Sequence, residues 1–169
     1  MELLVGCGHN WDRRVRVEGK TTWDELVTLD NNPGVHSHYS WDLCKLPLPF
    51  SPDTFDEVHA YEVLEHTGQQ GDWRFFFDQF AEFWRILKPG GYLAATCPAW
   101  NSIWAWGDPS HTRVLSSASL VFLSQKEYVK QEGLTPMSDF RHYYKADFDI
   151  IHVDEGKDSL VFVLQAVKE

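Results

Sequence analysis

The sequence predicts a three-layer α/β fold on a mostly parallel sheet, closed at one edge by an antiparallel hairpin. Three observations carry this. Short apolar runs that end in turn residues alternate with crossover segments, one long stretch has helical periodicity, and the last two apolar runs flank a tight turn.

Residues 2–6 are an apolar run ending in glycine, a buried strand feeding a tight turn. Residues 11–23 alternate polar with apolar around Gly19, which suits an extended loop or hairpin better than an amphipathic helix. A second strand, from residue 25, ends near Asp30, where Asp30-Asn31-Asn32-Pro33-Gly34 is dense in turn residues. A third extended piece covers residues 35–41, and Pro47 and Pro49 exclude helix just after it. Residues 55–64 form the fourth strand. In residues 72–87, Trp73, Phe76, Phe77, Phe80, Phe83, Trp84 and Leu87 recur at three- and four-residue intervals, which marks a long amphipathic helix stopped by Lys88-Pro89-Gly90-Gly91. A fifth strand spans 92–97, a Trp-rich loop 98–114, a helix 116–131, and a closing strand pair 148–153 and 160–167.

The chain has 169 residues, read as one domain over 1–169, and its 8 Trp, 6 Tyr and 11 Phe can bury a large core. Fifteen basic side chains against 25 acidic ones give a charge of -10, which excludes a general duplex binder. Arg13, Arg14, Arg16 and Lys20 read as a charged edge or a phosphate site, and Arg141 to Lys145, with Tyr143 and Tyr144, as a solvated turn or an anion contact. Three widely spaced cysteines suit a reduced compartment. Lacking a leader-like segment or a membrane-length apolar run, the chain is expected to be cytoplasmic and off the membrane. No metal site is expected: His36 and His38 could chelate from an extended strand, but no third ligand is evident.

In open α/β sheets the ligand sits at the carboxyl ends of the strands. Gly6-Cys7-Gly8 follows the first strand, where glycines allow a sharp turn and close approach of a nucleoside. Asp30 ends the second strand 24 positions after Gly6, at a spacing that lets a carboxylate accept both ribose hydroxyls, or simply cap a turn. Asp42 could accept from an adenine amine while Leu43 packs on the ring. The third glycine of a dinucleotide fingerprint is absent, which favours a nucleoside ligand without a diphosphate over a nicotinamide dinucleotide.

The residues Leu3-Leu4-Val5-Gly6-Cys7-Gly8, Asp30, Asp42-Leu43, Leu46-Pro47-Leu48-Pro49-Phe50, Phe55-Asp56-Glu57-Val58, Val63-Leu64-Glu65-His66 and Arg85-Ile86-Leu87-Lys88-Pro89-Gly90-Gly91 run in an order that resembles class I S-adenosylmethionine-dependent methyltransferases. The branch with ubiquinone-biosynthesis-type enzymes is the most similar. The resemblance covers residues 2 to about 98 and implies a Rossmann-like fold with a seven-stranded sheet. It implies that Gly6, Cys7 and Gly8 lie against the methionine part of the cofactor, Asp30 with Asn31 at the ribose, Asp42 and Leu43 at the adenine, and Tyr61 and Glu62 beside the transferring methyl. Two departures stand out: no helix precedes the first strand, and residues 9–25 lack the periodicity of the first crossover helix. Helical cover is therefore reduced on one side, and Trp-rich loops or a second copy of the chain could cover that face.

The expected reaction is an in-line methyl transfer to a small-molecule or nucleotide-type acceptor; the alternative is a catalytically inactive cofactor-binding subunit that needs a partner protein. Candidate bases are His66, His111 and Asp108, read against plainer roles as loop caps and an Asx turn. Trp100, Trp104 and Trp106 either wall a pocket or cover core left open by the missing helix. Enzymes that methylate base amino groups resemble one another in an Asn/Asp-Pro-Pro-aromatic element, where this chain has Ala60-Tyr61-Glu62-Val63. If Asp42 accepts from adenine, Asp42→Ala weakens S-adenosylhomocysteine binding by about 1–3 kcal/mol in calorimetry; unchanged affinity removes Asp42 from the site.

Overall fold

The computed structural model describes residues 1–168. Strands β1 (Glu2–Val5), β2 (Leu26–Asp30), β3 (Tyr39–Ser40), β4 (Phe55–Tyr61), β5 (Leu87–Pro98), β6 (Phe148–Glu155) and β7 (Ser159–Ala166) form one sheet in the order β3-β2-β1-β4-β5-β7-β6. β7 runs antiparallel to β5 and β6, and the other pairings are parallel. Strand order therefore reverses between β1 and β4, which opens a crevice at their carboxyl ends.

Helix α1 (Trp73–Ile86) covers one face. The Asp72 carboxylate caps it by accepting from the Phe75 N–H at 3.1 Å, and Phe77, Phe80, Phe83 and Ile86 are buried against Leu3, Val5, Val58 and Ala60. Further along the chain come α2 (Ile103–Gly107), α3 (Ser117–Leu120) and α4 (Gln125–Gln131).

The other face carries a different kind of cover. Side chains alternate across a strand, so Glu2 and Leu4 of β1 and Glu57, His59 and Tyr61 of β4 share that face. Among the described residues no helix separates β1 from β2; residues 11–23 instead form an extended strap lying on these side chains. Val15 and Val17 are buried beside Leu4, Tyr61 and Ala94. The Tyr61 hydroxyl accepts the N–H groups of Arg14 (3.3 Å) and Val15 (3.2 Å) and donates to His59 Nδ1 at 2.6 Å. His59 Nε2 in turn donates to Glu57 at 2.8 Å, and Glu57 pairs with Arg13, whose side chain is 1% exposed. Lys20 completes the tie through Asp24 (3.0 Å) and Glu57 (3.6 Å).

Several sequence expectations change in detail. The fourth strand ends at Tyr61, because Glu62 takes a left-handed φ of 50° and turns the chain into a 3-10 turn at Leu64–His66. Within residues 35–41 pairing is limited to Tyr39–Ser40. β5 begins at Leu87, ahead of the predicted start, with a register shift opposite residues 55–57 absorbing the irregularity. The expected helix over 116–131 is interrupted at Ser124, which is extended and buried. The basic run of residues 13–20 divides: Arg13 is buried against Glu57 and Lys20 pairs with Asp24 and Glu57, while Arg14 and Arg16 are exposed. Tyr144 is buried in the core, while Arg141 is committed to Asp139 and Glu132. The four exposed side chains Trp100, Ile103, Trp104 and Trp106, between 53% and 74% exposed, leave the core uncovered by the Trp-rich segment.

Burial lowers the pKa of His59 and keeps its imidazole neutral. In Glu57 burial acts upward, but the His59 hydrogen bond and the Arg13 charge outweigh it and hold the carboxyl below its usual range. Both groups bind fewer protons folded than unfolded, so their stabilisation is present above the unfolded values and is lost as pH falls through the folded ones. Urea unfolding should show stability declining as pH drops below about 6.5, with a shallower decline in His59→Gln. Equal slopes in the two proteins contradict this.

Candidate active site

The crevice at the carboxyl ends of β1, β2 and β4 is a cleft of about 370 Å³, lined among others by Gly6, Asp30, Asn31, Asp42, Leu43 and His66. Its floor is built by two turns. Gly6 has a φ of 59°, and a Cβ there would overlap the Val63 side chain, so only glycine lets the first strand turn this close to the chain after β4. Asp30 ties the loops together: one carboxylate oxygen accepts the Gly8 N–H at 2.9 Å and the other accepts the Asn32 N–H at 2.8 Å. Each oxygen keeps a further lone pair, so the carboxylate can still accept from a ligand hydroxyl. Asp42 is exposed, with Oδ1 accepting the Cys44 N–H at 2.8 Å, and Leu43 beside it is buried.

The other positions expected near the cofactor divide. Cys7 is buried in the cluster under the strap, and burial, then Asp30, pushes its thiol pKa up. Tyr61 also points away from the cleft, because its hydroxyl holds the strap. Glu62 is exposed at the left-handed turn that follows. Trp41, Val63 and Thr67, which the sequence reading did not single out, line the cleft instead. Trp41 follows directly on β3 and precedes Asp42, a position that the short third strand brings to the rim.

The three candidate bases are brought together. The segment 108–113 crosses the 3-10 turn, where the Glu65 carbonyl accepts the Thr112 N–H at 2.9 Å, and Arg113 Nε donates to the Leu64 carbonyl at 2.8 Å. Burial lowers the Arg113 pKa to about 10, and its guanidinium also donates to Thr67 and Gln79, fixing this loop to α1. The His66 and His111 rings meet edge to face with centroids 4.6 Å apart, and His111 Nε2 lies 3.7 Å from Asp108. Between them sits Glu65, 3% exposed and absent from the sequence-derived candidates, although it stands inside the Leu-Glu-His element. Burial pushes its carboxyl up to about 8. Nothing in the sequence shows that this residue, and not His66, turns inward. Among the described residues, His36 and His38, the pair weighed for a metal, do not converge with a third ligand, and His38 Nδ1 is engaged by Thr28 at 2.8 Å.

A family model described as a methyltransferase domain matches residues 3–95. A search of curated protein sequences finds no match. Among solved structures, the N-methyltransferase NodS of Bradyrhizobium japonicum, in complex with S-adenosyl-L-homocysteine, is similar with a TM-score of 0.55 and 15% identity, over 99% of this chain and 78% of that one. A SAM-dependent methyltransferase of Archaeoglobus fulgidus gives 0.58 and 13%, over 97% and 85%. A Haloferax volcanii methyltransferase in complex with the Trm112 activator gives 0.52 and 14%, over 99% and 82%. At such identities the likeness carries the fold.

The residues present fit S-adenosylmethionine. The cleft lies within the usual ~300–1,000 Å³ of small-ligand pockets, and Asp30 and Asp42 line it with carboxylate oxygens that could accept hydroxyl and amine hydrogens. Gly6→Ala should destabilise the protein by about 2 kcal/mol from overlap and a left-handed backbone, with partial recovery in Gly6→Ala/Val63→Ala. Thermal unfolding of both variants checks this, and a wild-type melt for Gly6→Ala refutes it.

Proposed function

The chain belongs to the methyltransferase-domain family and is an S-adenosylmethionine-dependent methyltransferase, and we propose that it methylates an oxygen or nitrogen of a small molecule with an apolar body. The observation that carries this is that His66 lines the cofactor-sized cleft and also packs against His111. A ligand held over Gly6 and Asp30 thus has a proton-accepting group at one end.

When bound, S-adenosylmethionine supplies an electrophilic methyl group on a sulfonium. The chain's own residues do the rest. Asp30 and Asp42 hold polar hydrogens along the cleft, and Gly6 allows close backbone approach. Positioning an acceptor within attack distance supplies much of the rate of an in-line displacement. His66 and His111, with Asp108 beside His111, take the acceptor's proton. The exposed Trp100, Ile103, Trp104 and Trp106 flank the segment that carries His111 and offer an apolar wall. The charge of -10 disfavours a polyanionic acceptor such as duplex nucleic acid.

A second reading, a cofactor-binding subunit completed by a partner protein, is favoured by one observation. Beside the strap, a shallow cavity of about 570 Å³ over β5, β7 and β6, lined by Tyr92, Val161, Val163 and Ile151, has no helix above it among the described residues. The two readings separate on one assay. Purified protein with S-adenosylmethionine and a panel of aromatic phenols and amines should release S-adenosylhomocysteine, with kcat reduced about 100-fold in His111→Ala. Cofactor binding without turnover of any acceptor favours the partner-dependent reading.

A further inference from the structure

The group around Glu65 is built in a way that hydrogen bonding within the protein does not explain. Glu65 Oε1 lies 3.9 Å from His66 Nε2 and 4.0 Å from His111 Nε2, and Asp108 Oδ2 lies 3.7 Å from that same His111 nitrogen. These separations exceed hydrogen-bond length. The donor atoms converge without bonding one another. Glu65 Oε2 and His111 Nδ1 are buried and have no hydrogen-bond partner, although their side chains are 4% and 8% exposed. A buried carboxyl oxygen and a buried ring nitrogen left without partners are costly unless something else satisfies them.

The surroundings hold these atoms in place. The Ser110 carbonyl and hydroxyl lie 3.2 Å from His66 Nδ1, so that nitrogen carries the hydrogen and the Nε2 lone pair faces Glu65. Ser110 also occupies the other Asp108 oxygen, donating from its N–H at 2.8 Å and its hydroxyl at 2.6 Å, which leaves Oδ2 toward His111. The Thr112 and Arg113 N–H groups bind the Glu65 carbonyl and lock the 108–113 segment over the 3-10 turn.

We propose that Glu65, His66 and His111, with Asp108 as a fourth donor, bind a divalent cation of the zinc or cobalt class. Glu65, His66 and His111 each offer one ligand atom, all within 4.8 Å of one another. Bonds of ~2.0–2.1 Å in a tetrahedral site place ligand atoms roughly 3.4 Å apart, so the side chains must turn inward to close separations of 3.7 to 4.0 Å, and of up to 4.8 Å across the cluster. Two imidazoles among the ligands select this class over magnesium, which takes oxygen donors. The His66 and Asp108 side chains, 37% and 43% exposed, form the open side through which an ion enters. The ion would sit at the acceptor end of the cleft, and with it bound His66 and His111 would be ligands and not bases, leaving the ion to lower the acceptor's pKa; that catalytic meaning rests on the reading above, while its binding does not.

Chelator-treated protein titrated with cobalt(II) is the test. One equivalent should bind, with visible d–d absorption of a low-coordinate site, and zinc should displace it. Glu65→Gln, which keeps the shape of the side chain, should weaken binding by at least about tenfold, and His66→Ala/His111→Ala should abolish it. Thermal melts and S-adenosylhomocysteine calorimetry on the same variants establish that they fold. Absent cobalt binding, or binding unchanged in the double variant, overturns the metal site. If S-adenosylhomocysteine still binds and chelated enzyme still turns over, the methyl-transfer reading survives that failure.

Discussion

The chain of hydrogen bonds from the strap through Tyr61, His59 and Glu57 to Arg13 is the constraint on which this structure depends. A half-covered sheet would leave Glu2, Glu57 and His59 desolvated without partners, or else exposed at the middle of the sheet. The strap resolves this by bringing its own cation and its own backbone donors onto that face. A buried pair of this kind is weak evidence of net stability but strong evidence of specificity, because removing one member strands the other. It fixes where residues 11–17 lie, and with them the path that leads out of the Gly6-Cys7-Gly8 turn.

That placement reaches the cleft through Asp30. The same carboxylate that can receive a ligand hydroxyl already binds Gly8 and Asn32, which ties the loops after β1 and β2 to one another. On the opposite side of the crevice, Arg113 ties the turn after β4 to α1 and to the segment carrying His111. The site is therefore assembled from loops, each anchored by a buried polar group to an element that packs in the core. Such anchoring is what a displacement reaction needs, since it is sensitive to alignment more than to acid strength.

Much of this was legible in the sequence. Alternating strand and helix signals, the three- and four-residue spacing in α1, and the turn at residues 155–158 were enough for the sheet and its closing hairpin. Glycine and aspartate at strand ends were enough for the crevice, and Asp30, Asp42, Leu43 and His66 do line it. The strap was legible as an extended segment over residues 11–23, but not as a cover laid on the sheet. Periodicity says which residues share a face, but it does not say that Tyr61 spends its hydroxyl on Arg14 and Val15 and not on a ligand. Ser124 broke a helix that propensity would have continued, because its extended backbone turns the chain between α3 and α4. Glu65 was hidden for a similar reason: its direction is set by a 3-10 turn that depends on the left-handed Glu62, and left-handed glutamate is not written in any local pattern.

The central claim is that an extended strap, pinned by polar groups of β1 and β4, stands in place of the first crossover helix and positions the cleft. Amide hydrogen exchange of Arg14 and Val15 measures this most directly, in the wild-type protein and in Tyr61→Phe. The account predicts both amides protected in the wild type, protection lost in Tyr61→Phe while the amides of α1 remain slow, and weaker S-adenosylhomocysteine binding in that variant. Exchange of Arg14 and Val15 at unstructured-chain rates in the wild type would contradict it.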